Sequence, residues 1–490
     1  MTQEGETPSQ SAVPVQELPL LIPEGVRYNC QGCGRCCSGW SVGMTEEDFA
    51  RIKDVDWQSL HPDLAGKELF IDRSAEFKAG LSGHPHYTKP REDGTCPFLI
   101  DKLCFIHGHL GEDQKPLTCR IFPYSFVETP SGVYTGVVYN SMAAVQNAGN
   151  LLSDQRESLS QYLALTRDYA RAIHKTSEET AAKDAAAGDT STATDTNAAA
   201  QSPEAASTAQ IPNSTVELTL GVVVSWNEFL EIDKKIMHTI QTRTDLGIFQ
   251  LLAAIGEIFQ KGVQLKRQDK PMAEIQDFDP VFTPTMDMTP GAVDEMTMRS
   301  MFYRLFVYPT IRVDEKGLWQ LQRRHVLHPK NLVTVIRSLT RYSFTAVNTI
   351  LLKQSKLPTT GRINLDKALK QKMPPLSSDV EEFFRRWIYL KLFAKAYFGA
   401  PAAGFCVISG FNCLTSAFIS SILFAKASAM GRKAKEVDIK DLYEAFWRID
   451  RELLTMGQVP KRESIAYNFA FAQPRLFNKF LLTLEKSLQS

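Results

Sequence analysis

The chain has 490 residues, of which 43% are hydrophobic and 22% are charged. This composition is typical of an ordinary soluble protein with two or three domains. Its 55 Lys and Arg residues equal its 55 Asp and Glu residues. A formal net charge of zero excludes the global attraction to nucleic acid or anionic membrane that a strongly basic chain would have.

The first 22 residues are rich in Glu, Gln, Ser and Pro. They contain neither the basic stretch nor the apolar stretch of a secretory signal, so we expect a disordered tail over residues 1–22. A chain without an export signal stays in the cytoplasm, which is reducing. Clustered cysteines in such a compartment are more often metal ligands than disulfides.

Seven of the nine cysteines fall within the first third of the chain, which predicts a metal-binding domain over residues 23–175. Gly32 and Gly34 separate the first cysteines and allow the tight turns that bring thiolates three residues apart onto one metal. A second group follows some sixty residues later, and metal binding would offset the entropy of closing that loop. The candidate metal ligands are Cys30, Cys33, Cys36, Cys37, Cys96, Cys104 and Cys119.

The pattern is less specific about the metal. All-sulfur ligation suits an iron–sulfur cluster, zinc or copper(I). Seven thiols exceed the four that one zinc ion or one cubane cluster needs, so there are either two sites or spare cysteines. Adjacent Cys36 and Cys37 are expected to point in different directions. A disulfide-knit domain is the alternative to metal.

Other side chains near the cysteines could take part in the site. His107 and His109 could complete a mixed Cys/His zinc site, or they could simply be exposed loop residues. Positive charge next to the thiols would favour thiolates. Four basic residues lie close by in sequence, with Arg120 adjacent to a cysteine: Arg35, Lys102, Lys115 and Arg120.

Residues 176–215 consist largely of Ala, Thr, Ser, Asp and Glu, with almost no large apolar residues. Such a segment cannot bury enough surface to offset its ordering entropy, which predicts a disordered linker. An alanine-rich helix is the alternative, but Thr, Ser, Asp and Gly disfavour it.

Residues 216–490 are expected to form an α-helical domain, because long amphipathic segments alternate with turn signals. Residues 402–425 lack charge and are interpreted as a buried central helix rather than a membrane span. Cys406 and Cys413 there are interpreted as core residues. The fold class is therefore mainly α. The predicted helices are Phe229–Gln241, Leu246–Gln260, Glu295–Phe306, Leu332–Gln354, Asp379–Phe398, Ala402–Met430 and Val437–Met456.

The ordered cysteine motifs resemble the CxxCxxCC family of YkgJ-type zinc- or iron-chelating proteins, which also includes flagellin lysine N-methylases. The resemblance covers residues 28–127, including Met44-Thr45-Glu46-Glu47-Asp48, where Thr45 is a suitable helix N-cap on its own grounds. A more diffuse similarity to the methylases extends from Phe383 to Leu442. Family members often carry a further cysteine where this chain has Ser141. The matching motifs are Cys30-x2-Cys33-x2-Cys36-Cys37, Cys96-Pro97-Phe98-Leu99, Cys104 and Lys115-Pro116-x2-Cys119-Arg120-x-Phe122-Pro123.

The resemblance implies a metal-bearing protein, and as an alternative an S-adenosylmethionine-dependent protein-lysine N-methyltransferase with a protein substrate. A zinc-stabilised interaction module without catalysis is a third hypothesis. The residues themselves identify no catalytic base and no cosubstrate site. The sequence lacks the C-x3-C-x2-C spacing of radical S-adenosylmethionine enzymes, because Trp40 stands where the third cysteine would be. We expect no nucleic-acid partner and no membrane span.

Overall fold

The computed structural model describes residues 18–39, 41–78, 82–170, 214–280, 371–374, 376–402 and 404–453, with short pieces within 347–367 and 471–485. The described part is mainly helical, and small strands are concentrated in its first third. This agrees with the predicted fold class. The predicted helices Glu295–Phe306 and Leu332–Gln354 lie outside the described residues, apart from single positions.

The largest sheet of the first third has three strands in the order β1-β8-β7. Strand β8 pairs antiparallel with β7 and parallel with β1. Gly132 begins β8 with a φ of 142°, and a Cβ there would lie 2.4 Å from the carbonyl oxygen of Pro19, so the approach of β1 requires glycine. The sequence predicted a disordered tail over residues 1–22, but strand β1 lies within that range, so the tail is shorter than predicted. The strands are β1 (Leu20–Leu21), β7 (Tyr124–Thr129) and β8 (Gly132–Val137).

A second small sheet, in the order β2-β4-β3, and the hairpin β5-β6 complete the strands of this unit. Short helices connect them. Helix α1 begins at a capping box in which Thr45 and Asp48 satisfy each other's backbone N–H groups, which confirms Thr45 as the N-cap. The elements are β2 (Gly43–Met44), α1 (Glu46–Ile52), α2 (Trp57–Leu60), β3 (Phe70–Asp72), α3 (Ser74–Lys78), β4 (His86–Thr88), β5 (Leu99–Ile100), β6 (Leu103–Cys104), α4 (Phe105–Leu110), α5 (Leu117–Ile121), α6 (Met142–Val145) and α7 (156–170).

After residues 171–213, which the structure does not describe and which contain most of the predicted linker, a hairpin leads into long helices. Ser225 caps the first of them in a second capping box, with Glu228. The five predicted helices that fall on described residues are confirmed, with ends shifted by a few residues. The elements are β9 (Thr215–Thr219), β10 (Val222–Ser225), α8 (Trp226–Thr242), α9 (Ile248–Arg267), β11 (Gln354–Leu357), β12 (Gly361–Asn364), α10 (Ser378–Phe393), α11 (Val407–Gly431) and α12 (Ile439–Leu453).

Helix α11 is long and apolar enough to cross a membrane, and its most apolar stretch is almost entirely buried within the protein. Phe418 and Ile422 on it are fully covered, and so are polar side chains such as Ser409. This agrees with a central core helix. Cys406, at its N-terminus, and Cys413 are both buried, as expected of core cysteines.

One hydrophobic cluster runs from the first third into the long helices and includes Val133, Tyr139, Phe383, Phe418 and Phe446. A smaller cluster lies beneath the cysteines and has its own aromatic core, with Cys96 and Cys104 packed against it. The described residues on the two sides of the predicted linker therefore share a core, although the domain boundaries at 175 and 216 stay a prediction.

Candidate metal centre

The first cysteine motif turns sharply at two glycines. Gly34 has a φ of 69° and precedes a 3-10 turn at Arg35–Cys37, and its carbonyl accepts from the N–H of Cys37 at 3.2 Å. Cys36 and Cys37 are half-buried, and their Sγ atoms lie 4.0 Å apart. Their sulfur atoms approach each other, contrary to the prediction, because neighbouring side chains in a 3-10 turn are about 120° apart rather than on opposite faces as in a strand. Cys30 and Cys33 are exposed.

The second group lies directly beside this turn. The N–H of Cys96 donates to the carbonyl of Cys37 at 2.8 Å, and Ser38 and Thr95 form an antiparallel bridge. Hairpin β5-β6 then returns the chain, so that Cys104 pairs with Leu99, and its thiol acts electrostatically on that of Cys96. Two segments sixty residues apart in sequence are thus joined by backbone hydrogen bonds, as the sequence predicted.

Hairpin β5-β6 also explains the two glycines of the first motif. A Cβ at Gly34 would lie 3.1 Å from a methyl of Leu99, and a Cβ at Gly32 would lie 2.8 Å from a methyl of Leu103. Both glycines have left-handed backbone angles. The positive φ therefore favours glycine at both positions, whereas the leucine methyls are the ends of flexible side chains that can move aside.

Cys119 comes from a third element, the short helix α5, which is tied to the second sheet. The N–H of Leu117 donates to Asp48 at 3.1 Å, and the hydroxyl of Thr118 donates to the carbonyl of Gly43 at 3.1 Å. Asp48 also accepts a hydrogen bond from the N–H of Thr45 in the capping box. The carboxylate that begins helix α1 therefore also fixes the helix that carries Cys119.

The electrostatics indicate that thiols from three segments of the chain influence one another. Burial raises the pKa of Cys119 well above its ordinary value, and the thiols of Cys96, Cys104 and Cys36 raise it further. Burial also raises the pKa of Cys96 to about 11. The hydrogen bond with Cys37 and burial raise the pKa of Cys36. With these raised pKa values, the thiols of Cys36, Cys96 and Cys119 are protonated at neutral pH in the absence of metal.

Basic residues near the thiols have separate roles. Lys115 counteracts the rise in pKa of both Cys36 and Cys119, as a positive charge near a thiolate should. Arg120, which the sequence suggested for this role, instead forms an ion pair with Asp113 at 3.2 Å.

The spacing of one pair of thiols, Cys36 and Cys37, fits a metal site. Four sulfurs at 2.3 Å around a tetrahedral zinc ion lie about 3.8 Å apart, close to the separation of Cys36 and Cys37. Within the residues that the structure describes, no three Cys, His, Asp or Glu side chains are close enough to hold a metal ion as they stand. The nine cysteines, all in the described part, form no disulfide.

Three histidines of the first third lie in aromatic packing, whereas His107 is exposed on α4. His109 stacks on Phe105 with ring centroids 3.7 Å apart. His86 stacks on Phe49 and contacts Glu46 at 3.0 Å. His84 is buried, and burial lowers its pKa to about 4. The contacts of His109 favour packing over the mixed Cys/His site that the sequence left open.

Sequence reasoning missed the contacts between the cysteine unit and the long helices. Arg35 pairs with Glu444 across 409 residues of sequence. Lys391, on α10, and Lys395, two residues beyond its end, are buried in ion pairs with Asp450 and Asp233. Lysine side chains ordinarily keep their charged ends in water. No local signal separates these buried lysines from exposed ones.

Comparison with known proteins supports a metal-binding cysteine protein. Residues 29–146 match the model of the CxxCxxCC family, whose description is "Putative zinc- or iron-chelating domain". An uncharacterized protein of Methanocaldococcus jannaschii is 34% identical over 104 residues, which are 21% of this chain and 31% of that relative. The chain thus spans about a third of the length of this curated relative. No solved structure matches the chain.

Proposed function

We propose that the protein binds zinc or an iron–sulfur cluster through thiolates of the first third of the chain. The observations that support the proposal are that Cys36 and Cys37, with Sγ atoms 4.0 Å apart, lie beside the Cys96 segment, and that the thiols of Cys96, Cys104 and Cys36 influence Cys119. The family match to a zinc- or iron-chelating domain supports it. The centre would supply structural cross-linking, or redox chemistry if it is iron–sulfur.

Completing the centre would require side-chain movements, because no three candidate ligands among the described residues are close enough as they stand. Metal ligands must be deprotonated, and the raised pKa values of these thiols mean that binding releases protons. Backbone N–H groups around Gly32 and Gly34 would donate to the sulfurs of a cluster. Cys30 and Cys33 are exposed, and they would complete the ligand set or receive the incoming metal.

The experiment is metal analysis of the full chain purified without oxygen, measuring iron, zinc and acid-labile sulfide. Broad visible absorption indicates iron–sulfur, and a colourless zinc protein indicates zinc. Cys119→Ser should lose most of the metal, whereas the matched variant Cys413→Ser should keep it, because Cys413 is buried in α11. Full metal content in Cys119→Ser, or no metal in the wild type, would refute the proposal.

Lysine methylation has its own test, because it rests on resemblance. The described residues offer no observation that favours it, so we do not propose it as the function. Calorimetric titration with S-adenosylmethionine separates the hypotheses: heat of binding supports a methyltransferase acting on a protein substrate. The absence of heat from metal-loaded protein leaves a metal-binding protein or a zinc-stabilised interaction module in the cytoplasm.

A further inference from the structure

Arg35 stands inside the first cysteine motif, between Cys33 and Cys36, but its side chain reaches the long helices. Its guanidinium lies 2.5 Å from the carboxylate of Glu444. Its Cζ atom lies 5.0 Å from the ring centroid of Trp447. Both partners are on α12, and their spacing of three residues places them on one face. The motif is thus held by a helix from the far end of the described chain.

Helix α12 is itself fixed to the cysteine unit by other contacts. The indole N–H of Trp447 donates to the carbonyl of Asn140 at 2.8 Å. One turn further, Asp450 accepts from the N–H of Tyr139 and pairs with Lys391 at 2.6 Å. Trp447 is buried. These contacts make the indole an ordered surface on which Arg35 rests.

We propose that the contact of Arg35 with Glu444 and Trp447, hereafter the Arg35 contact, positions the 3-10 turn for metal binding and couples the metal centre to α12. The inference rests on the proposed function. Cys36 and Cys37 directly follow Arg35 in that turn. Holding the turn in place removes part of the ordering cost that metal binding would otherwise carry. By linkage, metal binding must strengthen the contact as much as the contact strengthens metal binding.

The test compares Arg35→Lys and Trp447→Leu in the reduced full chain, titrated with zinc against a competing chelator. Arg35→Lys keeps the positive charge near the thiols but loses the planar group that stacks and pairs. Each variant should weaken zinc affinity about five- to tenfold without changing stoichiometry. The double variant should bind no more weakly than the weaker single variant, because both remove one interaction.

Arg432→Gln is the matched control. It removes an ion pair of the same length, 2.5 Å, from Asp441 in the first turn of the same helix, and should leave zinc affinity unchanged. A second readout is Trp447 itself. Zinc should change the tryptophan emission of the wild type, and the change should be smaller in Trp447→Phe, because Trp57, which packs beside Cys96 and Cys104, can also respond. A purely structural role of Trp447 would not produce a zinc-dependent signal.

The outcomes distinguish the two proposals. A wild type that binds neither zinc nor iron overturns the proposed function and the coupling together. Zinc binding that is equally tight in the wild type, Arg35→Lys and Trp447→Leu overturns the coupling alone. Additive losses in the double variant also overturn it, because the two side chains would then act separately.

Discussion

Replacing Asp450 by Asn should destabilise the protein by about 3–5 kcal/mol, because it leaves Lys391 as an unpaired buried cation. The Asp450 side chain is 1% exposed and that of Lys391 is 10% exposed. Asn can still accept the N–H of Tyr139, so the change removes the charge and little else. Burial already lowers the pKa of Lys391, and the Asp450 carboxylate opposes that effect.

The magnitude has an upper limit, because Lys391 can lose its proton. Neutralising a lysine of ordinary pKa about 10.4 at pH 7 costs about 5 kcal/mol, at 1.36 kcal/mol per pKa unit. The unfolded lysine is protonated below its ordinary pKa, whereas the buried one in Asp450→Asn is neutral. The penalty should therefore shrink as the pH rises from 7 to 10.

Urea unfolding of the reduced, metal-free chain measures the effect, with Lys391→Met and the double variant completing a thermodynamic cycle. The double variant should lie within about 2 kcal/mol of the wild type, because no buried charge remains. A penalty below about 1 kcal/mol for Asp450→Asn, or a double variant as unstable as the sum of the singles, would refute the reasoning.

The remaining predictions concern pH and the glycine turn. Burial lowers the pKa of His84 to about 4, so below pH about 6.5 the unfolded chain binds a proton that the folded chain does not. The stability that neutral His84 contributes is present above pH 6.5 and is lost as the pH falls towards 4, by about 3 kcal/mol at most. Urea unfolding of His84→Asn should show a flatter acid profile than the wild type, and parallel profiles would contradict this. Gly34→Ala should cost about 1–2 kcal/mol for its φ of 69° and also weaken zinc binding. Gly25→Ala is the control: Gly25 has a φ of 70° and nothing within 4 Å of the added Cβ, so this variant has the backbone strain without any contact to the metal centre and should leave zinc affinity unchanged. Equal zinc affinity in the two variants would show that the turn at Gly34 does not matter for metal binding.

Local patterns predicted the long helices well, because an amphipathic repeat is written in consecutive residues. The predicted segment Phe229–Gln241 lies within α8, for example, and Ser225 and Glu228 mark its start. The hairpin β7-β8 was not predicted. All six residues of β8 are buried, so the strand lacks the alternation of apolar and polar residues that indicates a half-exposed strand.

The cysteine spacing predicted which segments meet, and backbone hydrogen bonds between Cys37 and Cys96 agree with it. It did not predict what holds them from outside. Arg35 was expected only to lie near thiolates, whereas its partners Glu444 and Trp447 are more than 400 residues away. Contacts at such separation depend on the packing of whole helices, which no motif records.

Helix α11 resembles a membrane span closely enough to pose a problem while the chain is being synthesised. Helix α12, which packs along it, ends at Leu453, 22 residues after α11 ends at Gly431. At about 5–20 residues per second, the ribosome needs about one to four seconds to synthesise the residues that complete α12 and cover α11. During this interval the nascent chain depends on earlier helices or on chaperones to shield α11. A transcript truncated before α12 should therefore give an aggregating product, even though every cysteine of the metal centre would be present.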